Sequence, residues 1–112
     1  MTDLEMTRLC AEAMGIFLRV DRGSVIASES GREEDEFMYE PLNYDAYVME
    51  MVKRFQMVIE RDPKRSDYFG VTLFAKRPGT SATDTFVVRH TFDLNRAIVE
   101  CVAKMQAAKA SK

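Results

Sequence analysis

The chain holds 112 residues, 46% hydrophobic and 30% charged, with a net charge of −2. That composition fits one domain spanning residues 1–112 and is too apolar for a disordered chain. No apolar run nears the roughly 18 residues that cross a bilayer, and Met1 to Glu5 offers neither a basic region nor an apolar stretch for secretion. A cytoplasmic protein without membrane contact is the expectation. The small net charge hides an asymmetry: residues 1–52 carry four Lys/Arg against twelve Asp/Glu, a balance of −8, and residues 53–112 carry +6. Such halves either neutralise each other within the fold or form patches for a partner or a second copy.

In chain order, Thr2-Asp3-Leu4-Glu5 has the form of a capping box. Behind it Met6, Leu9, Cys10, Ala13 and Met14 recur at helical spacing, and Gly15 can close the helix in the left-handed conformation. A first helix is therefore predicted over about Asp3 to Met14. Ile16 to Val20 reads as a strand, Asp21-Arg22-Gly23-Ser24 as a turn, and Val25 to Ala27 as its return. From Ser28 to Glu36 apolar residues nearly vanish, which predicts an exposed, mobile acidic loop over 28–36.

Phe37 to Tyr39 resumes the apolar pattern before Pro41. Asn43 then looks like a helix cap, and Tyr47, Val48, Met51, Val52, Phe55, Val58 and Ile59 keep helical spacing until Asp62-Pro63. One long second helix is the expectation. Tyr68 to Lys76 and Thr85 to Phe92 are rich in aromatic and β-branched residues, and turn signals fill 77–84, so they read as an antiparallel hairpin. Phe69, Val71 and Leu73 occupy one face of its first strand, Tyr68 and Phe74 the other, which suggests that both faces are at least partly covered. Asp93 can cap a third helix with Leu94, Ala97, Ile98, Cys101, Val102 and Met105 on one stripe. The tail 109–112 should fray.

The fold class that results is α+β: a small antiparallel sheet of three or four strands with about three amphipathic helices packed on it, in the manner of an alpha-beta-alpha sandwich.

Chemical signals are sparse. Cys10 and Cys101 form no CxxC or Cys/His pattern and read as buried core residues on helix stripes. His90 is the one histidine; it shares strand parity with Phe86 and Val88, which favours a structural role over acid/base work. Glu33 to Glu36 lacks the ligand spacing of a calcium loop, and Pro78-Gly79-Thr80-Ser81 lacks the lysine of a phosphate loop. No catalytic, metal or cofactor-binding residue is assigned. The remaining candidates are surfaces. Lys76, Arg77 and Arg89, on or beside the hairpin with Tyr68, Phe74 and Phe86 near them, could place cations on phosphates while bases stack. Tyr39, Tyr44 and Tyr47 could instead present rings to a protein.

The order of Leu9 to Gly15, Tyr39 to Ala46 and Asn95 to Met105 resembles small phage and prophage proteins with an alpha-beta-alpha sandwich domain, including NinX-like proteins. The resemblance implies a bacterial cytoplasmic setting, a phage or prophage origin and no established chemistry; it carries over no catalytic residue. Together with the missing motifs, it favours a non-enzymatic accessory protein that binds a host or phage protein, with self-association as a homodimer allowed. Nucleic-acid binding through Lys76, Arg77 and Arg89 is the alternative.

Overall fold

A computed structural model describes residues 1–61, 63–64, 68–77, 79–91 and 93–110, excluding the side chains of 90, 91 and 110. The chain is α+β, and among the described residues it has three α-helices and six strands divided between two antiparallel sheets. Helix α1 runs over Asp3–Ala13, and the N–H of Glu5 donates to Thr2 Oγ1 at 3.1 Å, so the predicted cap forms. Gly15 follows at φ 71, in the left-handed region that lets the chain leave the helix and enter a strand.

The first sheet holds β1 (Phe17–Asp21), β2 (Ser24–Ser28) and β3 (Phe37–Met38), in that order. Asp21 pairs with Ser24, leaving Arg22 and Gly23 as a two-residue turn, both at positive φ. Leu18, Ala27 and Phe37 form an inward row across the three strands and pack on the core. The acidic segment starts later than expected, because Ser28 belongs to β2 and is buried. Its hydroxyl accepts from the N–H of Gly31, a single 3-10 turn covers Glu33–Asp35, and Glu36 accepts two bonds from Arg19, at 2.7 and 3.0 Å.

The second helix is shorter than its spacing predicts. Helix α2 covers Asp45–Phe55, and Val58 and Ile59 instead open β4 (Val58–Arg61). The break is at Gln56, which takes φ 49 and lets its own N–H and that of Met57 bond the Val52 carbonyl. Asn43 is not the cap either: its N–H bonds the Glu40 carbonyl in a turn, and Tyr44 precedes the helix without a capping side-chain bond.

The second sheet has the order β4-β5-β6, with β5 over Phe69–Lys76 and β6 over Thr83–Thr91. Ile59, Val71 and Val88 lie in one inward row, and Leu73 and Phe86 in another. Between the pairs Phe69–Thr91 and Val71–Val88, Gly70 alone faces both Arg89 and His90, which is a β-bulge.

Helix α3 (Leu94–Ala110) joins the parts. The N–H of Arg96 donates to Asp93 Oδ1, as the predicted cap requires. Its buried residues surround most of its circumference, from Ala97, Ile98 and Val99 through Cys101, Val102 and Ala103 to Met105. That is the pattern of a helix enclosed by neighbours: the Cys101 thiol meets the Val71 carbonyl at 3.3 Å, while the Val99 carbonyl meets the Cys10 thiol of α1 at 3.4 Å. Arg96 also pairs with Asp3 at 2.9 Å, and Asn95 bonds Asp45 at 2.8 Å, so the start of α3 is tied to both other helices. Lys109 and Ala110 remain helical where fraying was expected; 111 and 112 lie outside the described residues.

Candidate binding surface

Strand alternation builds the surface. On β5 the odd residues Val71 and Leu73 face the core, which turns Gly70, Thr72, Phe74 and Lys76 outward. Pairing adds Val58 and Val87 beside Thr72, Thr85 beside Phe74, and Thr83 beside Lys76. Among the described residues no helix covers this side: Phe74 is 54% exposed and Val58 41%. The expectation of a hairpin covered on both faces therefore fails on the Phe74 side, because α3 and the rest of the core occupy only the Val71 side.

The three basic residues singled out in sequence do not form one cluster. Lys76 and Arg77 sit at the loop end of the hairpin, and Arg89 lies beside Gly70, six residues along β5 and about 20 Å away at the usual strand rise. Arg77 is also committed, since its guanidinium bonds Asp84 at 2.7 Å, and that carboxylate raises its pKa further. Lys76 and Arg89 share the outward face with Phe74; Arg77 is neutralised beside it.

A groove opens at the bulged end of the sheet, where residues of both parities meet. Glu60, Arg61, Pro63, Phe69, Gly70, Thr72 and Arg89 line a groove of about 250 Å³. Arg61, opposite Phe69 in the ladder, holds its guanidinium 5.6 Å from the centre of that ring. A Cβ built on Gly70 would touch Arg89 Cγ at 3.8 Å, so the Arg89 side chain crosses the bare backbone there. Sequence reasoning missed Arg61 by placing it at the end of a long helix. The two adjacent β-branched residues Val58 and Ile59, shortly ahead of Pro63, were the local signal of a strand.

The tyrosines expected to present an open aromatic surface mostly pack. Tyr39 is 3% exposed, with burial as the main cause of its raised pKa, and its ring lies 5.2 Å from that of Tyr47. Phe37 stacks on Tyr47 from 6.1 Å, and the Tyr47 hydroxyl donates to the Met38 carbonyl. Tyr44 alone of the three stays largely exposed.

Burial pushes the Cys10 thiol up to about 12 and the Cys101 thiol to about 11, which suits neither for nucleophilic work at neutral pH. The histidine question falls on the His90 side chain, outside the described residues. Among the described residues no cluster of His, Cys, Asp and Glu could hold a metal ion, and no helix is long and apolar enough to cross a membrane. Comparison with family models, curated proteins and solved structures returns no match.

Proposed function

We propose that this chain is a non-enzymatic module that binds a partner protein on the outward face of β4, β5 and β6. The observation that carries this reading is the pair of large apolar side chains, Phe74 and Val58, left open on one sheet face whose other side is core. Val58, Thr72 and Val87 form a row across all three strands, with Phe74 in the next outward position on the middle strand. Exposed apolar side chains gathered on one flat face mark an interaction surface more often than scattered ones do. The other sheet also exposes Phe17 and Met38, but there an Arg19–Glu36 bridge crosses the face and Phe17 lies against Gly31. A phage or prophage origin and a bacterial cytoplasmic setting rest on the sequence resemblance alone.

Affinity capture from a bacterial lysate tests this reading, comparing the natural chain with Phe74→Asp and Val58→Asp variants of unchanged circular dichroism. A partner retained by the natural chain and lost by both variants is the expected result. Equal retention by the variants, or no reproducible partner together with a monomeric state, would count against it; a homodimer dissolved by Phe74→Asp would identify the partner as a second copy.

A second reading, nucleic-acid binding, is favoured by Lys76 and Arg89 sharing that face with Phe74. Its test is salt-dependent binding of single-stranded probes that weakens in Lys76→Ala and Arg89→Ala but not in Arg77→Ala.

A further inference from the structure

The outer strands of the two sheets are β1, β3, β4 and β6. A strand edge offers a row of backbone donors and acceptors to any further strand, and chains blunt it by keeping the edge short or by charging its middle. β3 has two residues, β4 holds Glu60 and Arg61 within its four, and β1 carries Arg19 at its centre. β6 is protected in neither way. It runs for nine residues, and its middle, Thr85-Phe86-Val87-Val88, contains no charge and no proline. β5 takes one side of it and α3 packs on its core face, so among the described residues its other edge meets no strand.

We propose that two copies of this chain pair β6 with β6, antiparallel, about a two-fold axis at Val87 that stands perpendicular to the sheet. The strand is self-complementary about that residue. Val87 meets the partner's Val87, Phe86 meets the partner's Val88, and Thr85 meets the partner's Arg89, each of the last two occurring twice by symmetry. Apolar residues thus face apolar ones, with an aromatic beside a β-branched side chain, and each guanidinium faces a hydroxyl. Other axis positions lose this match. At Phe86 the axis opposes Asp84 to the partner's Val88, at Val88 it opposes Arg89 to the partner's Val87, and at Arg89 it opposes two guanidiniums directly. An axis at Thr85 sets Asp84 against the partner's Phe86. The bulge that begins at Arg89 ends the regular ladder, so Thr85 to Arg89 is the segment that pairs. The product is one six-stranded sheet, β4-β5-β6-β6-β5-β4, in which the outward row Val58, Thr72 and Val87 continues into the same row of the second copy. The added strand also closes the outer side of a groove of about 410 Å³ between β6 and the end of α3, where the half-buried Phe86 lies. This pairing uses an edge, so it stands whether or not the open face at Phe74 binds a protein.

The test is sedimentation of the intact chain from micromolar to millimolar concentration. The natural chain should form a dimer that dissociates on dilution, with a dissociation constant on the order of micromolar. Thr85→Lys, at an exposed position, sets a lysine opposite the partner's Arg89 at two symmetric places and should weaken the dimer about tenfold. Adding Arg89→Glu to Thr85→Lys restores opposite charges and should recover the natural affinity, which a loss of folding would not allow. Phe74→Asp, on the open face and away from the edge, should leave the dimer in place. Amide exchange within Thr85 to Arg89 should slow as the dimer forms. The proposal is overturned if the natural chain stays monomeric at millimolar concentration, if Thr85→Lys associates as tightly as the natural chain, if Arg89→Glu does not recover the loss, or if Phe74→Asp dissolves the dimer. A monomeric chain that still captures a protein through Phe74 would overturn this pairing and leave the docking face intact.

Discussion

Cys10 of α1 donates its thiol to the Val99 carbonyl of α3 at 3.4 Å, joining residues 89 positions apart. The contact needs a small side chain at a close helix crossing. Ala11 and Ala103, both fully buried, keep the same part of the core narrow. Cys101 repeats the device on the opposite partner, setting α3 against the Val71 carbonyl of β5. The two thiols thus fasten the last helix to the first helix and to the second sheet. Their burial explains why neither is available as a nucleophile.

That burial has a consequence in alkaline solution. Each thiol has an ordinary value of 9.0, and folding raises Cys10 to about 12 and Cys101 to about 11. The unfolded chain therefore loses these protons first. The stabilisation is complete below pH 9 and is lost as pH rises towards the folded values, at about 1.4 kcal/mol per pH unit for each thiol within its window. Urea unfolding between pH 8 and pH 11 should show this decline, and a Cys10→Ala/Cys101→Ala variant should show a shallower one. Iodoacetamide at pH 8 should modify neither thiol until denaturant is added.

The turn between β1 and β2 places Arg22 at φ 51 and Gly23 at φ 80. A two-residue hairpin of this kind needs positive φ at both positions, and arginine pays a steric cost that asparagine largely avoids. Arg22→Asn should raise stability by about 0.5–1 kcal/mol in chemical denaturation, with the Asp21–Ser24 register unchanged.

Gln56 stands at φ 49 where α2 ends, a position that glycine occupies in many helices. Gln56→Gly should stabilise the fold by about 0.5–1 kcal/mol, because the released strain exceeds the added freedom of the unfolded chain. A lower urea midpoint for this variant would show that the left-handed residue is not what terminates the helix.

Gln56 also marks where the sequence stopped being legible. Thr2, Gly15 and Asp93 are residue types that cap or close helices, so α1 and the start of α3 could be read locally. Glutamine carries no such signal, and Val52, Phe55, Val58 and Ile59 fit one helical stripe whether or not the chain breaks among them. The ladder joining Val58–Arg61 to Phe69–Thr72 then depends on tertiary pairing, which a local pattern does not contain. Losing β4 hid Arg61, whose guanidinium lies against the Phe69 ring opposite it in the ladder. Arg89 was visible as a basic residue on the hairpin, but its neighbour across the bulge is Gly70, a relationship that only the register reveals. Arg77 was equally visible and proved to be occupied by Asp84.

Leu73 and Phe74 are adjacent in β5 and point to opposite sides of it, Leu73 fully buried and Phe74 largely open. Leu73 packs in the core beside Val71 and opposite Phe86, so truncation removes buried area and leaves a cavity that the sheet and α3 cannot wholly close. Leu73→Ala should cost about 2–5 kcal/mol, measured as a lower urea midpoint. Phe74 loses only a partly solvated ring, and Phe74→Ala should cost less than about 1 kcal/mol, mainly from reduced strand preference. A large loss at Phe74 would mean that its ring is part of the packed interior, and the outward face would then have to be abandoned as a docking surface. A small loss at Phe74 beside a large one at Leu73 would separate the two faces energetically, as the alternation of the strand requires.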